Sequence, residues 1–184
     1  MNLANRITLT RIFLVPVFIA LLLYYSPDKS FLRLVALGIF IVACFSDACD
    51  GYIARKMNQK TDLGSYIDPL ADKMLLLSGF LCLSLMANLP QEMRIPAWVT
   101  IVIISRDVII LIGAIVIFFM TRVLVPKPHF IGKITTVMQM MAVVFSLAMA
   151  PETIRFLFYG MAVFFTVWSG FLYVQMGGKM LQKC

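Results

Sequence analysis

DACDGYIARKMNQKTDLGSYIDPLADK, residues 47–73, joins two strongly apolar stretches and carries four aspartates, Asp47, Asp50, Asp68 and Asp72. Asp47 and Asp50 are three apart at the end of FLRLVALGIFIVACFSDACDGYIARK, while Asp68 and Asp72 are four apart near the start of the next apolar run. Both spacings place the carboxylates of a pair on one face of a helix. The short MNQKTD segment between them predicts a turn that brings the two helix ends together. Four carboxylates gathered in this way repel one another and resist ionisation unless a cation neutralises them. Arg55, Lys73 and Arg106 can offset part of that charge, but a divalent metal does so with better geometry. The donors are all oxygen, with no supporting histidine or thiolate pattern, which favours Mg²⁺ or Mn²⁺. Polar contacts between helices, or an ion path, are the alternative uses of such a cluster.

Outside this stretch the chain is overwhelmingly apolar. Of its 184 residues, 61% are hydrophobic and 14% charged, with a mean hydropathy of +0.94. That composition predicts an integral membrane protein, since a water-soluble domain of this length needs far more polar surface. Six apolar segments stand out, at about 8–25, 31–55, 64–86, 96–119, 131–149 and 153–176. Each approaches or exceeds the ~20 residues needed to cross ~30 Å of hydrocarbon. Lipid cannot satisfy free backbone groups, so the predicted fold is all-α, a polytopic membrane protein with six transmembrane helices. Residues 1–184 form one such domain, with no internal repeat. The first segment has the basic flank of a signal peptide, but no small-residue cleavage site follows LLLYYSPDKS, and an uncleaved first span is expected.

The net charge of +7 does not point to nucleic acid, because the basic residues sit at the ends of apolar segments and no basic-aromatic groove or zinc spacing accompanies them. Their distribution sets an orientation instead. Ten basic residues (Arg6, Arg11, Arg55, Lys56, Lys60, Arg122, Lys127, Lys133, Lys179 and Lys183) fall at one set of span ends and four (Lys29, Arg33, Arg94 and Arg155) at the other. Both termini are therefore expected in the cytoplasm. Asp47 lies eight residues before Arg55, roughly 12 Å deeper at helical rise, in a wet interface or a protein-lined cleft. Cys44, Cys49, Cys82 and Cys184 follow no disulfide framework and read as bystanders.

Small residues flank the acids. Gly51 and Ala54 follow Asp50, and Gly64 precedes Asp68 by four. They leave room for a bulky group beside the metals, such as a nucleotide head, or serve close helix packing. Arg55 suits a phosphate, or snorkels to the membrane surface. Arg106 interrupts IVIISRDVII, where an unpaired charge is expensive. It either receives the phosphate of a soluble acceptor or forms an internal ion pair, although adjacent helical residues such as Arg106 and Asp107 start in different directions. Lys133 is a second candidate for acceptor phosphate, with a topogenic role as its alternative. Thr8, Thr10 and Arg11 line the same cleft on weaker grounds. His129, the single histidine, sits in PKPHF with no serine or cysteine arranged beside it for a covalent triad.

Asp47-x-x-Asp50-Gly51-x-x-Ala54-Arg55, then eight residues, Gly64, three residues, Asp68, three residues, Asp72 resembles the signature of the CDP-alcohol phosphatidyltransferase family at every fixed position. NRITLTR at 5–11, IISRD at 103–107 and GKITTVMQM at 132–140 are similar to further stretches of that family. The resemblance implies a membrane enzyme that displaces CMP from CDP-diacylglycerol by an alcohol, and usually a homodimer. It implies that Asp47, Asp50 and Asp68 bind metal, as two ions, and that Asp72 is the general base near or on them. It also implies that Asp50, Gly51, Ala54, Arg55 and Gly64 cradle the nucleotide. The acceptor it implies is sn-glycerol 3-phosphate, giving phosphatidylglycerophosphate at the cytoplasmic face of a bacterial inner or plasma membrane. SRDVIILIGA and LGSYIDPLADK also resemble the family's cardiolipin-forming branch, whose acceptor is phosphatidylglycerol, and the second arginine common after the Arg106 position is missing here. A transporter or channel using the acidic cluster for ions is the alternative of another class, weakened by six short spans without a paired repeat.

Overall fold

A computed structural model describes residues 3–56, 62–121 and 130–181, with side chains at 12–46, 73–113, 131–176 and 178. Among these residues the protein is all-α. Its helices are α1 (Leu3–Leu23), α2 (Ser30–Lys56), α3 (Asp62–Leu85), α4 (Ala97–Thr121), α5 (Phe130–Leu147) and α6 (Glu152–Leu181), with one 3₁₀ turn at Pro27–Lys29. They coincide closely with the six apolar segments. The largest differences are at the two ends, where α1 starts at Leu3 and α6 runs to Leu181. Hydropathy marks the apolar length of a helix, whereas the hydrogen-bonded backbone continues into flanking polar residues.

Among the described residues two stretches, Pro27–Ser46 and Glu152–Met176, are long and apolar enough to cross a membrane. Only 17% and 22% of those windows are buried within the protein, unlike the core helices of water-soluble folds. Large apolar side chains face outward instead, as at Phe13, Phe31, Phe45, Leu111 and Phe171. The free energy of apolar exposure, about 25 cal/mol per Å² in water, makes a hydrocarbon surrounding the natural solvent for this surface.

The chain divides into two units. The first comprises Met1–Ile95 and Val143–Ala150. In it α1 packs against α2 and α3, and α2 touches α3. The buried face of α1 repeats at three- and four-residue steps through Val15, Phe18 and Leu22, with Tyr25 following, and Phe18 lies 5.7 Å from Phe40 of α2 between ring centroids. Pro16 is accommodated within α1, its missing N–H removing one bond of the helical ladder. Gly79 is closely packed. A Cβ there would stand 3.2 Å from Val143 Cγ1 and 3.4 Å from Phe40 Cε2, so a larger residue requires these two side chains to give way.

Polar side chains close the helix ends of this unit. The Asn88 amide donates to the carbonyls of Leu22 (2.9 Å), Leu23 (3.2 Å) and Tyr25 (3.1 Å) at the end of α1, where the last turn leaves carbonyls without helical donors; Leu22 O also accepts from Tyr25 N–H at 3.3 Å. Arg94 donates from Nε to Leu89 O at 2.9 Å and from Nη2 to Ala87 O at 2.6 Å. After α5 the chain turns through Met149 at φ 53°, with Met149 N–H donating to Ser146 O and Ala150 N–H to Phe145 O. These bonds form a Schellman cap in which the left-handed position, usually glycine, is a methionine.

The second unit comprises Pro96–Ala142 and Pro151–Cys184, where α4 packs against α6. The buried stripe of α6 runs Arg155, Tyr159, Ala162, Thr166 and Ser169, and that of α4 includes Val99 and Ile103. Cys82 is buried, and neither it nor Cys44 is in a disulfide; Cys49 and Cys184 lie outside the described side chains. Asn88→Ala should lower the thermal midpoint in detergent by the equivalent of about 1 kcal/mol, since three carbonyls at the end of α1 lose one shared donor. An unchanged midpoint would show that solvent replaces it.

Candidate active site

The acidic stretch occupies two helices that meet. Asp47, Asp50, Gly51, Ala54 and Arg55 lie in the last turns of α2, and Gly64, Asp68 and Asp72 lie in the first half of α3. With both segments helical, Asp47 and Asp50 are separated by ~4.5 Å along the axis of α2, and Asp68 and Asp72 by ~6 Å along α3. Each pair therefore stands about one turn apart, on elements of the same unit that touch. α1, which carries Thr8, Thr10 and Arg11, packs against both. The side chains of all these residues lie outside the described ones, and His129 and Lys60 lie outside altogether. Among the described residues no group of three histidine, cysteine or acidic side chains is placed to hold a metal. The donor set of the four aspartates is purely carboxylate oxygen, and that chemistry fits a hard divalent cation.

In the second unit, Arg106 is placed in detail. It stands on α4 three residues beyond buried Ile103, with its side chain 17% exposed. Its Nη1 donates to Asp107 Oδ1 at 2.7 Å and its Nη2 to Ser169 Oγ at 2.6 Å. The internal ion pair thus forms between sequence neighbours, because the long arginine stem lets the guanidinium bend back although the two side chains start in different directions. Nε of Arg106 is buried without a hydrogen-bond partner among the described residues. An arginine paired once to a carboxylate and once to a hydroxyl still has donors available for an anion. Lys133 is exposed in the first turn of α5.

Beside Arg106 runs a buried polar seam that the sequence reading did not single out. Gln139 Nε2 donates to Thr166 Oγ1 at 3.0 Å, and Thr166 Oγ1 donates to Ala162 O at 2.6 Å. Thr135 Oγ1 lies 2.9 Å from Ile131 O and 3.1 Å from Phe165 O, so a hydroxyl on α5 reaches the backbone of α6. Thr166 and Ser169 continue the three- and four-residue steps of the α6 stripe. Small polar residues at seam spacing in an apolar helix were the available signal.

The family model for CDP-alcohol phosphatidyltransferases matches residues 1–168, and the chain belongs to this family. It is 36% identical over 198 aligned residues to the CDP-diacylglycerol--glycerol-3-phosphate 3-phosphatidyltransferase of Bacillus subtilis, covering 98% of this chain and 97% of the relative. It is 42% identical over 106 residues to a probable phosphatidylglycerophosphate synthase of Mycobacterium tuberculosis, over 58% of this chain. That match spans about half the mycobacterial protein's length, 48%. The cardiolipin synthase (CMP-forming) of Rattus norvegicus is 35% identical over 199 residues, 97% of this chain and 62% of the relative.

Thr166→Val should destabilise the protein in detergent by about 1 kcal/mol, because the Gln139 amide loses its buried partner. Adding Gln139→Leu should recover most of the loss, as both ends of the bond are then apolar. Denaturation midpoints of the single and double variants check both expectations.

Proposed function

We propose that the protein transfers the phosphatidyl group from CDP-diacylglycerol to sn-glycerol 3-phosphate, releasing CMP and forming phosphatidylglycerophosphate. The observation that carries the reading is the complete aspartate motif on two contacting helices of a chain matched by the family model over residues 1–168. The acceptor is supported by the near end-to-end match to the Bacillus subtilis enzyme. In this reading residues 1–184 form one membrane domain with six transmembrane helices and both termini in the cytoplasm. The active site faces the cytoplasm from a bacterial inner or plasma membrane, and the enzyme works as a homodimer. The orientation gains support from Arg33 and Arg94. Both donate to main-chain carbonyls, Arg33 to Leu147 O at 3.5 Å, so helix-end bonding accounts for basic residues that oppose the charge rule.

Asp47, Asp50 and Asp68, with Asp72 beside or among them, hold Mg²⁺ or Mn²⁺. Bound there, two such ions supply charge neutralisation to the pyrophosphate and to the departing CMP oxygen. Gly51, Ala54 and Gly64 leave space along the helices for the nucleotide, and Arg55 pairs with phosphate. Asp72 accepts the proton of the acceptor hydroxyl as its oxygen bonds to the phosphorus of the phosphatidyl group. The bond from that phosphorus to the CMP oxygen breaks, and CMP leaves with the electron pair. Arg106 and Lys133 bind the acceptor's phosphate, and Thr8 and Arg11 on α1 are further candidates for acceptor or phosphate binding.

A cardiolipin-forming reaction with phosphatidylglycerol is the second reading, favoured by the 35% identity to the rat enzyme and by the missing second arginine after Arg106. An acceptor panel with CDP-diacylglycerol, its products identified by mass, separates the two. Phosphatidylglycerophosphate is expected, whereas cardiolipin made from phosphatidylglycerol with glycerol 3-phosphate ignored overturns the acceptor assignment. An ion conduit would release no CMP with any acceptor.

Asp72→Asn should cut transfer by ~10²–10⁴-fold while leaving metal and nucleotide binding largely intact. Parallel loss of metal affinity and rate would make Asp72 chiefly a ligand. Asp50→Asn should impair metal binding and turnover together, read by Mn²⁺ titration beside a CMP-release assay. Arg106→Gln should raise KM for glycerol 3-phosphate much more than KM for CDP-diacylglycerol. Equal changes in the two would remove Arg106 from the acceptor site.

A further inference from the structure

The contact between Arg106 and α6 has a consequence for acceptor recognition. Ser169 Oγ accepts from Arg106 Nη2 at 2.6 Å across 63 residues of sequence. At the next residue, Gly170, a Cβ would stand 3.3 Å from Arg106 Cγ. Two successive residues of α6 therefore define the arginine's path. Ser169 holds the guanidinium, and Gly170 leaves room for the aliphatic stem. Ser169 is itself 8% exposed and continues the buried stripe of α6, so its hydroxyl is fixed by helix packing.

The two hydrogen bonds described for Arg106 differ in what they can do when a phosphate arrives. Asp107 is an anion, and its carboxylate repels a phosphate approaching the same guanidinium. Ser169 is neutral, so its bond to Nη2 can persist while other N–H groups of the guanidinium, including the buried Nε, which has no partner among the described residues, turn to the anion. A long arginine side chain loses much rotamer freedom when it binds. Holding it beforehand favours affinity for the acceptor without touching the donor.

We propose that Ser169 is a positioning residue for the acceptor, fixing the Arg106 guanidinium for the acceptor's phosphate, with Gly170 providing the space in which it is fixed. The inference rests on the reading that Arg106 binds that phosphate. It assigns α6 a part in acceptor selection although Ser169 need not touch either substrate.

The test is a double-mutant cycle on the purified full-length enzyme, with steady-state kinetics in both substrates. Ser169→Ala should raise KM for glycerol 3-phosphate about tenfold and leave KM for CDP-diacylglycerol within about twofold. Ser169→Thr, which keeps the hydroxyl, should restore most of the loss. In an Arg106→Gln background, Ser169→Ala should add nothing. Gly170→Ala, which presses on the arginine stem without removing a hydrogen-bonding group, should raise the same KM. Equal effects on both substrates, or full additivity with Arg106→Gln, overturn the proposal. Should the wild-type enzyme ignore glycerol 3-phosphate, the acceptor reading itself falls. The Arg106–Ser169 coupling is then measured by inorganic phosphate inhibition of CMP release in the presence of the acceptor that is used. Weaker inhibition of Ser169→Ala than of wild type supports the coupling, and equal or absent inhibition overturns it.

Discussion

A polar group carried into a helix surrounded by apolar surface has to find its partner within the protein. This constraint organises the structure from its helix ends to its seams. Asn88 gathers three carbonyls at the end of α1, and Arg94 takes two more beyond α3. Thr166 and Gln139 satisfy one another between α5 and α6. Each bond is modest in net stability, about 1 kcal/mol. Leaving one unmade in an apolar surrounding costs more, so the bonds select which helix faces are brought together.

The same constraint makes exceptions informative. Arg106 is paired with Asp107 and Ser169, yet its Nε remains buried without a partner among the described residues. A cation needed only for helix packing would be better replaced by an apolar residue. A cation held ready for an anionic substrate has reason to keep unused donors. The four aspartates pose the opposite problem, negative charge in excess of its basic neighbours. Their helical spacing on α2 and α3 supports the view that a bound cation supplies the missing charge.

The residues proposed for the chemistry and those proposed for the acceptor lie on separate parts of the chain. The carboxylates belong to α2 and α3 of one unit, and the Arg106–Ser169 contact joins α4 and α6 of the other. Identities of 36% to a glycerol-3-phosphate enzyme and 35% to a cardiolipin synthase are too close to decide the acceptor. What separates the candidate acceptors physically is charge and shape. A small phosphomonoester rewards a fixed arginine, whereas phosphatidylglycerol brings one phosphodiester charge and two acyl chains.

The sequence by itself determined the helical class, the positions of the helices and the acidic motif. These depend on local quantities, namely the apolar length of a segment and the one-turn spacing of Asp47 with Asp50 and of Asp68 with Asp72. It also carried the α6 stripe through Tyr159, Ala162, Thr166 and Ser169, whose periodicity is visible once the helix is drawn. It did not name the partner of that stripe. Only the tertiary structure decided that Ser169 meets Arg106, that Gly79 lies against Phe40 and Val143, and that Asn88 caps a helix ending 65 residues earlier. Periodicity says which face of a helix is buried. Which other helix covers that face is settled by the packing of many side chains at once, and no spacing within a single segment encodes it.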